Sequence, residues 1–190
     1  MIMAAFNLLT ISLNVPAESS DRLVIADFNS GAKPNNLGKE WGVWNFNPAD
    51  SQQRARETAE PDDYKNPRDG YCLRIDYDVQ SSKPAFNGIW IKLGEFDANP
   101  YEWLSFWIRG DSNGKFTRRF KVELKTDTGK RAVYLVGYVD KHWTEVRIPF
   151  KKNGSITDWS RLSELVIVFD DVLATYKEGV LYLDQIEFQK

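Results

Sequence analysis

Two tryptophan-bearing segments contain the side chains with the clearest chemical potential. Residues 87–93 (NGIWIKL) and 101–110 (YEWLSFWIRG) are both predicted to be β-strands. Side chains alternate along a strand, so each segment has one apolar face and one face that is aromatic and cationic. This second face carries Trp90, Lys92, Trp107 and Arg109. A core needs only the apolar face, whereas flat aromatic rings beside polar groups suit the C–H faces of pyranose rings.

We therefore predict a carbohydrate-binding platform on one sheet, with the two tryptophan segments pairing across it. Stacking is assigned to four aromatic side chains: Trp90, Trp107, Tyr134 and Tyr138. Hydrogen bonding to sugar hydroxyls is assigned to Lys92, Arg109 and Glu123. The competing interpretation is a covered sheet, in which Trp90 and Trp107 pack beneath a long loop at residues 48–70.

Composition limits the classes of function. The chain has 190 residues, 42% of them hydrophobic and 14% aromatic, with a net charge of −2. This length fits one domain with a sizeable core. The charge argues against nucleic acid as a partner, because phosphate binding requires a concentrated basic surface. No stretch approaches the roughly 20 apolar residues of a membrane span. The single cysteine, Cys72, excludes an internal disulfide, and we expect a packed thiol.

The N-terminal segment, residues 1–21, differs from the rest. Residues 1–15 are apolar and uncharged, and the small residues Val15 and Ala17 suit a signal-peptidase site. A basic n-region is missing, and Asn7, Thr10 and Ser12 interrupt the apolar run, which leaves a flexible or helical extension as the alternative. A signal predicts a secreted or periplasmic protein, and its absence a cytoplasmic one.

Residues 22–190 are predicted to form one all-β domain. Turn signals such as the Gly and Asn residues at 110–114, 128–129 and 153–154 separate short segments of period two. One helical turn is expected at residues 158–161, and residues 48–70 are expected to form a surface loop. About ten strands with almost no helix indicate an antiparallel two-sheet sandwich. The predicted strands are 22–28, 40–47, 71–78, 87–93, 102–109, 118–126, 131–138, 142–148, 162–170 and 180–188.

The order of several short sequence pieces resembles the galactose-binding-like jelly-roll sandwich. This fold is shared by many carbohydrate-binding modules and by the complex I intermediate-associated family. The pieces span residues 23–188 and are IADF (25–28), LGKEWG (37–42), NGIWI (87–91), LSFWIRG (104–110), WTEVRIP (143–149) and LYLDQI (181–186). The resemblance implies that a concave sheet face binds glycans. It is weaker evidence for a ligand than for the fold, because this fold also serves as a scaffold.

The resemblance also implies a structural calcium ion that joins the first and last strands. Asp184 shares parity with Ile186 and Phe188, so it is expected to point inward, where a lone carboxylate is costly. Calcium prefers carboxylate and carbonyl oxygens. Asp27 and Asn29 are the candidate partners, although relatives often carry Glu in place of Asn29.

No motif indicates an enzyme. The acidic pairs Asp76/Asp78 and Asp170/Asp171 are candidates for the two carboxylates of a glycosidase. Nucleophile-elbow, HExxH, P-loop and CxxC motifs are missing from the sequence. The favoured function is non-catalytic binding of a polysaccharide or oligosaccharide. The alternatives are a protein-binding scaffold or assembly factor, and a polysaccharide-active enzyme with acidic residues at the groove.

Overall fold

The computed structural model describes residues 21–62 and 70–190. These residues form eleven strands and one short 3-10 helix at Phe150–Lys152. The predicted all-β class is confirmed. The strands are β1 (Arg22–Ala26), β2 (Trp41–Asn45), β3 (Arg54–Pro61), β4 (Tyr71–Asp78), β5 (Phe86–Phe96), β6 (Trp103–Gly110), β7 (Phe120–Thr126), β8 (Arg131–Val136), β9 (Thr144–Ile148), β10 (Leu162–Asp170) and β11 (Glu178–Gln189).

The strands form two antiparallel sheets that pack face to face. The six-stranded sheet has the order β3-β4-β11-β6-β9, with β1 also paired to β11. The five-stranded sheet has the order β2-β5-β10-β7-β8. Strands that are adjacent in sequence therefore often belong to different sheets, as β5 and β6 do. This is the two-sheet sandwich that the alternating sequence pattern predicts.

One hydrophobic core lies between the two sheets. The ring of Tyr77 on β4 stacks on Phe169 of β10, with ring centroids 4.3 Å apart, and joins the two layers. The Tyr77 hydroxyl donates to the Tyr176 carbonyl at 3.0 Å and accepts from the Thr117 amide at 2.6 Å. These bonds satisfy a polar group that would otherwise be costly to bury. Other inward-facing residues are Leu73, Ile75, Ile89, Ile91, Leu104, Phe106, Phe120, Val122, Leu165, Ile167, Leu181 and Leu183.

Two local predictions are wrong. The expected loop at residues 48–70 contains β3, which pairs with β4 along its whole length. Its sequence, RARETAEP, has only small or charged residues, so this edge strand lacks the apolar alternation that identifies the others. The helical turn expected at 158–161 is also not formed, and the 3-10 helix lies at Phe150–Lys152 instead. The predicted signal-like segment lies outside the described residues, apart from Asp21.

Cys72 is a packed residue of β4, as the sequence predicts. Burial raises the pKa of its thiol to about 12. We therefore expect thiol reagents to leave the native protein unmodified at neutral pH and to label Cys72 fully once the protein is unfolded. Labelling with a maleimide, followed by intact-mass measurement with and without denaturant, checks this. Rapid stoichiometric labelling of the native protein would contradict the packing.

No helix in the described residues is long and apolar enough to cross a membrane.

Candidate functional site

The outer face of the five-stranded sheet carries a grid of aromatic, aliphatic and charged side chains. Strand register places Trp90 of β5 beside Val166 of β10, with Glu123 of β7 next along the same row. A neighbouring row runs from Lys92 through Glu164 to Lys125 and Arg131. Because paired residues of antiparallel strands project from the same face, these rows form one continuous surface.

A cavity of about 640 Å³ opens on this face. Its floor is the pair Val166 and Val168, whose apolar side chains project from the central strand β10. Aromatic side chains bound one side, and ion pairs lie along the other. We call this cavity the sheet groove. Its lining residues are Trp44, Phe86, Trp90, Lys121, Glu123, Lys125, Arg131, Glu164, Val166, Val168 and Asp170.

The Trp90 ring is held in a fixed orientation. Its indole N–H donates to the Val43 carbonyl on β2 at 3.2 Å. The ring lies over Gly42, where an added Cβ would come within 2.7 Å of a ring carbon. Glycine is therefore required for this close approach. An indole fixed by its neighbours offers a flat surface without further loss of side-chain entropy on binding.

Trp44 and Phe86 extend this side of the groove, and Phe46 packs behind Phe86 without lining it. Trp44 contacts Phe86 edge-on at 5.9 Å between ring centroids, and Phe46 stacks on Phe86 at 4.0 Å. The Trp44 indole nitrogen is buried and has no hydrogen-bond partner among the described residues. Together with Trp90, the rings of Trp44 and Phe86 give the groove the aromatic wall that stacking on a sugar ring requires.

Ion pairs form the opposite side. Glu164 accepts from Lys92 at 2.5 Å and from Lys125 at 3.1 Å, each distance joining an Nζ to a carboxylate oxygen. Arg131 donates to Glu123 at 3.2 Å, and Lys121 donates to Asp170 at 2.6 Å. Burial disfavours the charged forms of Glu164 and Asp170. The lysine hydrogen bonds outweigh burial, so the pKa of each carboxyl lies below its usual value.

These ion pairs predict acid sensitivity. The folded-state pKa of Glu164 lies below its usual 4.5, so the ionised carboxylate stabilises the fold above that pH and this stabilisation is lost as pH falls. We expect Glu164→Gln to unfold more readily at neutral pH but to lose less stability than wild type as the pH falls below 4.5. Urea titrations across this range measure the difference, with exposed Glu40→Gln as control. Parallel pH profiles for wild type and Glu164→Gln would contradict the pairing.

The structure brings together three of the seven predicted carbohydrate-binding residues. Trp90 and Glu123 line the sheet groove, and Lys92 borders it through Glu164. Lys92 also lies 5.3 Å from the centre of the Trp90 ring. These residues could be predicted because alternation within β5 and β7 sets their face correctly.

The prediction that Trp90 and Trp107 share one sheet is wrong. Trp107 and Arg109 lie on β6, in the six-stranded sheet, because the chain crosses between sheets after β5. Their side chains face away from the core on the opposite side of the sandwich. Arg109 is buried there, with its guanidinium 3.7 Å from the Tyr182 ring centre and 5.2 Å from that of Trp143. This arginine has a packing role in the structure.

Neither predicted tyrosine lines the groove. The Tyr134 side chain packs against the core, and its hydroxyl donates to the Phe150 carbonyl at 2.7 Å. On β8 it alternates with the outward-facing Arg131 and Leu135, so its face was assigned wrongly. Tyr138 lies beyond the end of β8 in a loop and is 94% exposed.

Several groove residues were not predicted from the sequence, above all those of β10. Val166 and Val168 face outward yet are apolar, so β10 resembled a strand that is buried on both faces. This pattern concealed the outward positions of Glu164 and Asp170 on the same strand. Lys121 and Lys125 alternate with apolar residues along β7. This alternation indicates that both lysines face outward, and it could have identified them from the sequence.

The three predicted calcium ligands occupy hydrogen-bonded settings of their own. Asp27 accepts from the Asn29 amide at 3.1 Å and from Asn36 at 2.9 Å, while the Asn29 side chain accepts from the Tyr71 amide at 3.1 Å. No group of three or more His, Cys, Asp or Glu side chains in residues 21–62 and 70–190 could hold a metal. None of the three predicted calcium ligands lines the sheet groove.

Asp184 does not point into the core as expected. A β-bulge between Asp184 and Glu187 shifts the strand register, with Gln185 at a φ of 47°. Asp184 pairs opposite Trp107 on the outer face, and Ile186 returns to the core. The extra residue of a bulge moves each residue beyond it to the opposite face of the sheet. Alternation in the sequence alone does not predict this change.

Calcium binding by Asp27, Asn29 and Asp184 stays a prediction with a direct test. If calcium binds the native protein, removing it with a chelator lowers the melting temperature, because a ligand specific for the folded state stabilises it. Differential scanning calorimetry with and without chelator measures the melting temperature, and elemental analysis measures bound calcium. An unchanged melting curve with no bound calcium would refute the prediction.

Comparisons with known proteins identify the fold. No family model and no curated protein match the chain. A family 11 carbohydrate-binding module from Clostridium thermocellum, solved with a β-1,3-1,4-mixed-linked tetrasaccharide, has a TM-score of 0.61 and 17% identity, covering 88% of this chain and 95% of that one. A family 30 module of a cellulosomal cellulase from the same organism has a TM-score of 0.57 and 14% identity, covering 89% and 97%. An exo-β-agarase has a TM-score of 0.64 and 12% identity, covering 87% of this chain and 25% of that one.

Identities this low establish the architecture alone. The resemblance in the order of the sequence pieces and the similarity of the structures nevertheless agree. The chain has the jelly-roll β-sandwich fold of carbohydrate-binding modules.

Proposed function

We propose that the protein binds a polysaccharide non-catalytically in the sheet groove. The observation that carries this proposal is the fixed Trp90 indole at the wall of an open cavity of about 640 Å³. Ring stacking and hydrogen bonds from charged groups are complementary in such a site. Stacking contributes most of the affinity, while hydrogen bonds orient the sugar and select among sugars.

The structural neighbours support the same class of ligand. The family 11 module was solved with a mixed-linked tetrasaccharide, and another structurally similar module is specific for non-crystalline cellulose. The scaffold and enzyme alternatives gain no comparable support. Export from the cell stays a prediction that rests on residues 1–21.

The charge state of the groove favours binding over glycoside hydrolysis. A glycosidase needs one carboxyl that stays protonated near neutral pH, so that it can act as a general acid. Glu164 and Asp170 instead have lowered pKa values because lysines hold their ionised forms. Glu123, the third carboxylate lining the groove, is paired with Arg131. Neither Glu164 nor Asp170 is therefore poised to donate a proton near neutral pH.

Affinity electrophoresis tests the proposal. The protein migrates through native gels containing mixed-linkage β-glucan, polygalacturonate or carrageenan, with bovine serum albumin as a non-binding standard. We expect at least one polysaccharide to retard the protein and none to be shortened by it, as measured by reducing-end release. Migration unchanged in all three gels would refute binding, and steady release of reducing ends would favour the enzyme alternative.

A further inference from the structure

We infer that the ligand of the sheet groove is an acidic polysaccharide, one whose chain carries carboxylate or sulfate groups. The inference rests on the proposed function and adds the class of glycan. Its basis is the way exposure divides between the two members of each ion pair in the groove.

The cations of the groove are accessible and its carboxylates are not. The exposed fractions of the cationic side chains are 49% for Lys92, 35% for Lys121, 36% for Lys125 and 58% for Arg131. Those of the carboxylates are 8% for Glu123, 15% for Glu164 and 18% for Asp170. A ligand that enters the groove therefore meets ammonium and guanidinium groups first.

The hydrogen-bonding capacity divides in the same way. Each carboxylate accepts from a lysine or arginine of the groove, so part of its capacity is already used. Each lysine ammonium has three N–H donors and each guanidinium has five. Lys121 donates to Asp170 and Arg131 donates to Glu123, which leaves further N–H groups of both side chains for a ligand. Positively charged N–H donors form their strongest hydrogen bonds with anionic acceptors.

The balance of charge points in the same direction. The groove is lined by three cations and three carboxylates, and Lys92 at its border adds a fourth cation, so this surface is more positive than the whole chain, which carries a net charge of −2. The cations are also spread out. Lys92 and Arg131 lie in one row on β5 and β8, separated by three strand spacings, or roughly 14 Å. A row of this length fits a chain with repeated charges better than a single small anion.

A neutral glycan would use the groove less well. Covering the lysine and arginine head groups removes water from them, and sugar hydroxyls return only neutral hydrogen bonds. A carboxylate or sulfate returns a charge-assisted bond, which is about twice as strong as a neutral one. The same aromatic wall serves both kinds of glycan, so the cations decide between them.

The test compares three polysaccharides of similar length in affinity gels: neutral mixed-linkage β-glucan, carboxylated polygalacturonate and sulfated carrageenan. We expect at least one acidic polymer to bind at least about fivefold more tightly than the glucan, which is the upper value for one exposed ion pair. Raising NaCl from about 0.1 M to about 1 M shortens the Debye length from about 10 Å to about 3 Å and should remove most of this advantage. Whether one acidic polymer or both bind identifies the anionic group.

Variants separate the groove from general charge. Lys121→Gln/Arg131→Gln should weaken binding of the acidic polymer about tenfold or more, and exposed Lys141→Gln, which lies outside the groove, should leave it unchanged. Binding of the glucan alone, or equal binding of glucan and acidic polymers, overturns the inference and leaves the proposed function intact. Binding of none overturns both. Equal losses in the double variant and in Lys141→Gln would also overturn it, because the groove would then not be the source of selectivity.

Discussion

Trp90→Ala should weaken polysaccharide binding by about fivefold or more while the protein stays folded. A stacked aromatic side chain is worth roughly 1–3 kcal/mol in comparable sites, which corresponds to a loss of roughly fivefold to 150-fold. Trp90 lies on the outer face of β5, away from Ile89 and Ile91, so its removal leaves the core intact and costs the hydrogen bond to Val43 and the contact with Gly42. Affinity electrophoresis measures the binding, and circular dichroism confirms the fold.

Trp107→Ala is the matched control for this prediction. Both residues are partly buried tryptophans on outward faces, but Trp107 lies on β6 in the other sheet. We expect Trp107→Ala to bind as wild type does. The account is contradicted if Trp107→Ala loses binding and Trp90→Ala retains it, because the platform would then lie on the six-stranded sheet.

Phe188→Ala should lower the free energy of unfolding by about 3–5 kcal/mol, the usual cost of emptying a buried phenylalanine site. Phe188 is fully buried on β11. Its ring lies 5.1 Å from Phe96, 5.2 Å from Phe150 and 6.0 Å from Tyr101, measured between centroids. Three aromatic partners cannot all move to fill the cavity. Urea unfolding measures the loss.

Val172→Ala provides the comparison for stability. Its side chain is 91% exposed, and surface substitutions of this kind usually change stability by less than about 0.5 kcal/mol. Similar unfolding midpoints for Phe188→Ala and Val172→Ala would show that the described core is wrong at this end of the sandwich.

Local alternation predicted most of the fold. β4 and β10 have the predicted bounds, and the other recognised strands differ only at their ends. Each of these strands places large apolar residues at every second position, which a chain can do only if one face is buried. β3 was missed for the same physical reason, since an edge strand buries little and needs no such pattern.

The site was harder to predict than the fold. Alternation tells which residues of a strand share a face, but the sheet that a strand joins depends on pairings between distant residues. The sequence therefore predicted the correct face of β5 for Trp90 and Lys92, whereas it placed Trp107 on the wrong sheet. The bulge at Asp184 had the same effect within one strand, because an extra residue reverses the faces beyond it.

NMR mapping locates the polysaccharide-binding surface directly. Oligosaccharides of mixed-linkage β-glucan and of polygalacturonate are titrated separately into labelled protein, and the tryptophan indole and backbone amide resonances are followed. We expect the oligosaccharide that binds to shift the resonances of the Trp90 indole and of the amides in β5, β7 and β10, while the amides of β6 and β9 on the other sheet stay in place. Shifts confined to β6 and β9 would contradict this expectation.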